Sequence, residues 1–144
     1  MIKIICCGKI KEKYLREAIE DYSKRISKYH KLEILEIEDS NSVDEGKRIL
    51  KNIDSKDFVV TLEIYGNAIT SEEFAQKLDK IFITNSKICF ISGGSCGLSE
   101  DVKQRSDYKL SFSSFTFPHQ LFRVILLEQI YRAFKIVNNE TYHK

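Results

Sequence analysis

The chain has 144 residues, 42% hydrophobic and 31% charged, with 23 Lys and Arg against 21 Asp and Glu and a formal net charge of +2. That length suits one domain, 1–144, able to bury a core without disulfide or metal staples, and the near balance of charge argues neither for nor against a polyanionic partner. No apolar run is long enough to span a bilayer and no signal peptide is recognised, so a cytoplasmic location and no membrane partner are expected.

Residues Met1 to Cys7 read as a buried strand, followed by Gly8 and an amphipathic helix from about Glu12 to Tyr29 with Leu15, Ile19, Tyr22 and Ile26 on one side. Leu32 to Ile37 is the second strand. The polar run Glu38 to Asp44 reads as a loop, before a short helix carrying Ile49, Leu50 and Ile53. Asp57 to Ile64 is the third strand, closed by Gly66-Asn67. Thr70 with Glu73 three residues on is a capping box, and it starts a helix with Phe74, Leu78, Ile81 and Phe82 inward. Lys87 to Ser92 is the fourth strand, ending in Gly93-Gly94-Ser95-Cys96-Gly97. Ser99 caps a short helix to about Ser106, and Tyr108 to Phe112 is the fifth strand. Thr116 caps the last helix, with Pro118 in its first turn, and this helix runs to about Val137.

Strands separated by helices make an α/β domain, a mainly parallel sheet covered by helices on both faces. Ligands of such sheets bind at the carboxyl ends of the strands. The turn after the first strand, Cys7-Gly8-Lys9-Ile10, fails the GxGxxG dinucleotide pattern, and no Walker A sequence occurs. The glycines cluster instead after the fourth strand, and the hydroxyl-rich loop Ser113, Ser114, Phe115, Thr116, Phe117, Pro118 follows the fifth. A GGxxG loop alone is as often structural as functional. Two consecutive late loops ending beside His119 and Arg123, which share one side of a helix N-terminus, raise the functional reading above even.

The last helix carries more apolar surface than one sheet contact needs, which predicts a second buried contact with a partner subunit. Basic residues gather at both ends: Lys9, Lys11, Lys13, Arg16, Lys24, Arg25 and Lys28 early, Arg123, Arg132, Lys135 and Lys144 late. The early cluster is read equally as a polyanion contact or as solvated helix faces beside Glu17, Glu20 and Asp21. Cys6, Cys7 and Cys89 sit in strand sequence as core thiols, Cys96 has no assigned role, and no spacing suits a metal. His30 is read as a surface residue, Glu128 and Arg132 as an i, i+4 ion pair, and Asp57 and Asp79 as carboxylates without partners. Tyr142-His143-Lys144 is a chain end for which disorder is the ordinary expectation. No carboxylate dyad or Ser-His-Asp set is present for a hydrolase.

Over essentially its full length the chain resembles the bacterial ribosomal large-subunit pseudouridine N3-methyltransferases of the SPOUT superfamily. The resemblance rests on GKIKEKYLREAIEDYSKRI, VTLEIYG, ISGGSCGLS, SFTFPHQLFRVILLEQIYRAFKI and the terminal YHK. It implies a carboxyl-terminal trefoil knot, which threading rules would otherwise exclude. It also implies a homodimer, S-adenosylmethionine as cofactor, and large-subunit ribosomal RNA of the assembled ribosome as substrate. By the same resemblance the cofactor lies against Leu62, Gly94 and the Ser113 to Pro118 loop, and the catalytic neighbourhood is His119 and Arg123, closed by Tyr142 and His143 across the dimer. His119 or His143 would take the N3 proton, and Arg123 would hold a phosphate or the developing imide anion. The alternative is a non-catalytic RNA- or nucleotide-binding protein of the same fold.

Overall fold

The computed structural model describes residues 1–144. Five strands and five helices alternate along the chain: β1 (Ile2–Cys7), α1 (Lys13–Ser27), β2 (Leu32–Ile37), α2 (Ser42–Lys51), β3 (Phe58–Ala68), α3 (Ser71–Thr84), β4 (Ile88–Ser92), α4 (Glu100–Arg105), β5 (Tyr108–Ser111) and α5 (His119–Val137). The strands form one sheet in the order β2-β1-β4-β3-β5, and every neighbouring pair is parallel. Successive strand side chains point to opposite faces, so Ile2, Ile4 and Cys6 pack with α1, α3 and α5 while Ile5 and Cys7 pack with α2 and α4. All six residues of β1 are buried, as expected of an inner strand with helices on both faces.

The capping box at Thr70 is present in full, and Ser99 accepts from the Val102 amide as expected. Three boundaries differ from the sequence reading. Asn41 caps α2, its side chain accepting from the Asp44 amide, so that helix begins inside the stretch read as loop. At the other end α5 begins at His119, with Pro118 at the cap position and no side-chain cap, so Thr116 stays in the loop. The residue before a proline disfavours the helical region, which accounts for Phe117 lying outside the helix and for its later start. Finally, Gly66 does not close β3. The strand bulges between Leu62 and Asn67 and resumes its pairing with β5, and the lack of a side chain at Gly66 permits the close approach, since a Cβ there would lie 2.8 Å from the Lys109 carbonyl.

The apolar surplus of α5 is mostly absorbed within the chain. This helix lies between α1 and α3, where Leu126, Leu127, Ile130, Tyr131, Ala133 and Phe134 are buried, each contributing about 1.5–3 kcal/mol for the larger side chains. What remains outward is Leu121, 41% exposed, with half-buried Val124 and Ile125.

Two residues read as bland are engaged. Asp57 is buried, pairs with Lys87 at 3.2 Å and accepts from the Asp54 amide at 2.9 Å. His30 is half-buried, stacked on Phe82 at 4.1 Å and near Phe134 at 5.2 Å, with the Met1 ammonium 3.4 Å from its Nδ1. Burial holds the His30 pKa below its ordinary 6.5, and the Met1 charge adds to this. The unfolded chain therefore takes up this proton first, so the contribution is intact above the ordinary value and is lost as pH falls below it. Thermal denaturation should show wild-type stability declining more steeply than that of His30→Phe on going from neutral to mildly acid pH. Parallel curves would rule out His30 as the titrating group.

Candidate active site

The bulge that interrupts β3, the glycine loop after β4 and the loop after β5 converge at the carboxyl edge of the sheet. They enclose a pocket of about 270 Å³, near the lower end of the range for small-ligand sites. Ser111 Oγ donates to the Ile64 carbonyl at 2.8 Å and fixes the bulge to the end of β5. In the glycine loop the Gly97 amide donates to the Gly94 carbonyl at 3.0 Å, and Gly97 takes φ +75, a conformation that favours glycine. Gly94 also lines the pocket, and a Cβ there would sit 3.0 Å from carboxylate oxygens of both Asp39 and Glu45, so a side chain at this position would crowd those two acids. Phe112 and Phe117 pack on Phe122 at 5.1 and 5.8 Å, making one wall aromatic.

Of the cofactor residues expected from sequence, Leu62, Gly94, Ser113, Phe115, Thr116 and Phe117 line this pocket, whereas Ser114 and Pro118 do not. His119 opens α5 and lines the pocket with an exposed ring that makes no hydrogen bond within the chain. Both of its nitrogens are free for a ligand.

Arg123 is placed differently. It is 3% exposed and lies outside the pocket lining. Its Nη1 donates to Glu36 Oε2 at 2.8 Å and its Nη2 to the carbonyls of Cys7 and Gly8 at 3.0 and 3.1 Å. The guanidinium thus ties α5 to the carboxyl ends of β1 and β2. Three of its five donors are spent on protein and its Nε–H is buried without a partner, so the guanidinium, closed off from the pocket, reaches no phosphate or imide anion in this arrangement.

Tyr142 and His143 do not reach the pocket of their own chain. The Tyr142 ring packs edge-on against Tyr131 at 4.9 Å under the Arg132 guanidinium, and its hydroxyl lies 3.4 Å from Glu128. Burial, with Glu128 adding, pushes its phenol up to about 12. His143 bridges Arg132 Nη1 at 3.0 Å and Glu72 Oε1 at 2.6 Å. Arginine only donates, so Nδ1 accepts and Nε2 carries the proton given to Glu72. The chain end is therefore tied down, and the Glu128–Arg132 pair is part of what holds it.

Sequence reasoning missed Glu63, Lys103 and Tyr65, which also line the pocket. Glu63 had a visible signal: it is the one charged residue in the strand run VVTLEIYG. Tyr65 is 100% exposed, which only the bulge explains. No group of three or more His, Cys, Asp or Glu side chains is arranged to hold a metal, and no helix is long and apolar enough to cross a membrane.

A family model described as "Predicted SPOUT methyltransferase" matches residues 1–143. The chain is 54% identical to a ribosomal RNA large subunit methyltransferase H of Clostridium botulinum (strain Okra), with 99% of each chain covered. It is 50% identical to ribosomal RNA large subunit methyltransferase H 1 of Clostridium perfringens (strain SM101), again over 99% of each. Among solved structures it is similar in fold to the tRNA (m1G37) methyltransferase of Aquifex aeolicus, with a TM-score of 0.54, 17% identity, 91% of this chain and 69% of that chain covered.

Proposed function

Because the chain belongs to the SPOUT methyltransferase family, we propose that it methylates large-subunit ribosomal RNA with S-adenosylmethionine, at N3 of a pseudouridine of the assembled ribosome. The observation that carries this reading is the pocket of bare glycine backbone and aromatic side chains, with an uncommitted histidine at its edge. The residues fit the cofactor: backbone and hydroxyls from the loops for its polar edges, and Phe112, Phe117 and Phe122 for a flat apolar base. Leu62, Gly94 and the Ser113 to Pro118 loop form its seat, within a knotted carboxyl-terminal half. When bound, the cofactor supplies a methyl group already activated on a sulfonium.

The protein then has two tasks, to hold the acceptor nitrogen in line and to remove its proton. His119 takes the N3 proton, since its ring is free and faces the pocket. Arg123 acts as a positioning residue, because it fixes the start of α5 against β1 and so sets where His119 stands.

A homodimer belongs to the same reading. Leu121 and Phe115, 41% and 77% exposed, sit with half-buried Ile125 at the pocket end of α5. A second copy laid over that end would cover them and carry its Tyr142-His143 tail toward this pocket.

The substrate side is supported by the turn between β1 and α1. The Lys11 amide donates to Gln120 Oε1 at 3.1 Å, which fixes this turn beside His119. Lys9 and Lys11 are exposed and make no ion pair, unlike Lys13 and Arg25, which pair with Glu17 and Asp21. Part of the basic cluster is therefore paired on the helix face, and Lys9 and Lys11 are the part left for a polyanion. The double variant Lys9→Glu/Lys11→Glu should raise the KM for ribosomes about tenfold or more and flatten its salt dependence, with cofactor affinity unchanged. An unchanged KM would remove this surface from the account.

Ribosomes as substrate place the protein in the cytoplasm. The whole reading is tested by transfer of labelled methyl from S-adenosylmethionine to ribosomes from cells lacking this protein. Label in large-subunit RNA is expected. Intact cofactor binding with no label on any RNA would leave a non-catalytic binding protein of the same fold.

A further inference from the structure

Only two formally charged side chains line the pocket, Glu63 from the β3 bulge and Lys103 from α4. We propose that they hold the two charges of the cofactor's amino-acid end, Glu63 taking the α-ammonium and Lys103 the α-carboxylate. This rests on the methyl-donor reading and adds to it the residues that read that end of the molecule.

Glu63 is half-buried and makes no ion pair anywhere in the chain. One of its oxygens accepts from Thr61 Oγ1 at 2.7 Å, and the fully buried Thr61 hydroxyl lies 2.7 Å from Ser106 Oγ. The carboxylate is therefore fixed in place, while its other oxygen accepts nothing from the protein. With no cation beside it in the chain, that free oxygen can take a ligand ammonium in a charge-assisted hydrogen bond. Lys103 is also half-buried, and the one acid within its reach is Glu100, a turn earlier at 3.9 Å with its own side chain 82% exposed, a weak surface pair. Its ammonium is free to turn to a ligand anion.

The two charges lie on the same wall. Thr61 follows Val59 by two residues, so its side chain and that of Glu63 share the sheet face covered by α2 and α4, and the Thr61 to Ser106 contact leads to the end of α4. The aromatic residues Phe112 and Phe122 belong to the opposite layer, with α5. The pocket thus has an apolar end suited to a base and a zwitterionic end suited to an amino acid. A carboxylate also suits ribose hydroxyls, and ligands that differ only at the amino-acid end separate the two.

The experiment is equilibrium binding of three adenosyl thioethers to the full chain: S-adenosylhomocysteine, its decarboxylated analogue, and methylthioadenosine, which keeps the ribose and lacks the amino-acid end. Glu63→Gln should weaken the first two about tenfold, the size of one charge-assisted hydrogen bond, and leave the third unchanged. Lys103→Met should weaken S-adenosylhomocysteine alone. Unchanged methylthioadenosine binding also shows that each variant is folded. Equal weakening for all three ligands would assign Glu63 to the ribose and overturn the proposal, as would no weakening at all. Failure of the wild-type protein to bind S-adenosylhomocysteine would overturn the donor reading itself, and this assignment with it.

Discussion

Replacing His119 by Ala is expected to slow methyl transfer about 10²- to 10⁴-fold under single-turnover conditions, the usual contribution of a positioned general base, while cofactor affinity changes little. The ring stands at the pocket edge with both nitrogens free. His143→Ala is the informative comparison. Its Nδ1 accepts from Arg132 and its Nε2 proton goes to Glu72, so within its own chain no nitrogen is left to take a proton. Its loss should act through the placement of the tail, raising KM more than it lowers the chemical rate. An unchanged single-turnover rate in His119→Ala would eliminate the base and leave positioning as the source of catalysis.

Arg123→Ala should cost about 3–5 kcal/mol of folding stability, because it strips a buried charge network of one partner. The Cys7 and Gly8 carbonyls would lose this donor, and the Glu36 carboxylate would lose its cation and keep the Ile10 amide. Arg123→Lys should recover only part of this, since one ammonium cannot reproduce the fork that reaches three acceptors. Denaturant unfolding measures the loss directly, and activity in each variant should track the folded fraction and the placement of α5. A fully stable Arg123→Ala would contradict the structural role of this network, and loss of transfer in that stable variant with cofactor affinity intact would restore the anion-holding one.

The sheet and its helices were legible because alternation of buried strands with capped helices is written locally, at Thr70, Ser99 and the apolar run of β1. The late-loop pocket was legible as well, from glycines and hydroxyls following consecutive strands. Where the sequence misled, a distant backbone decided the outcome. Gly66 looked like a turn residue, yet it is needed for close approach to Lys109 in β5, forty-odd residues on. Arg123 looked like a binding cation because it lies one turn from His119, but the same spacing on a helix packed over β1 points it at the Cys7 and Gly8 carbonyls. Glu63 and Lys103 are 40 residues apart in the chain, and only the β3 bulge and the seat of α4 bring them to one pocket. The apolar excess of α5 was read as a partner's footprint, whereas α1 and α3 cover most of it. Its residue at Leu121 and Ile125 is what the dimer proposal now rests on.

The most direct measurement is the position of the transferred methyl group. Assembled ribosomes, separated large subunits and naked large-subunit RNA from cells lacking this protein would each be incubated with labelled S-adenosylmethionine and the wild-type chain, and the RNA digested and resolved by mass spectrometry. Label confined to N3 of a pseudouridine, and strongest on assembled ribosomes, is the predicted result. Label at another base or another atom, or equal labelling of naked RNA, would contradict the account of the substrate, and no label with bound cofactor would contradict catalysis itself.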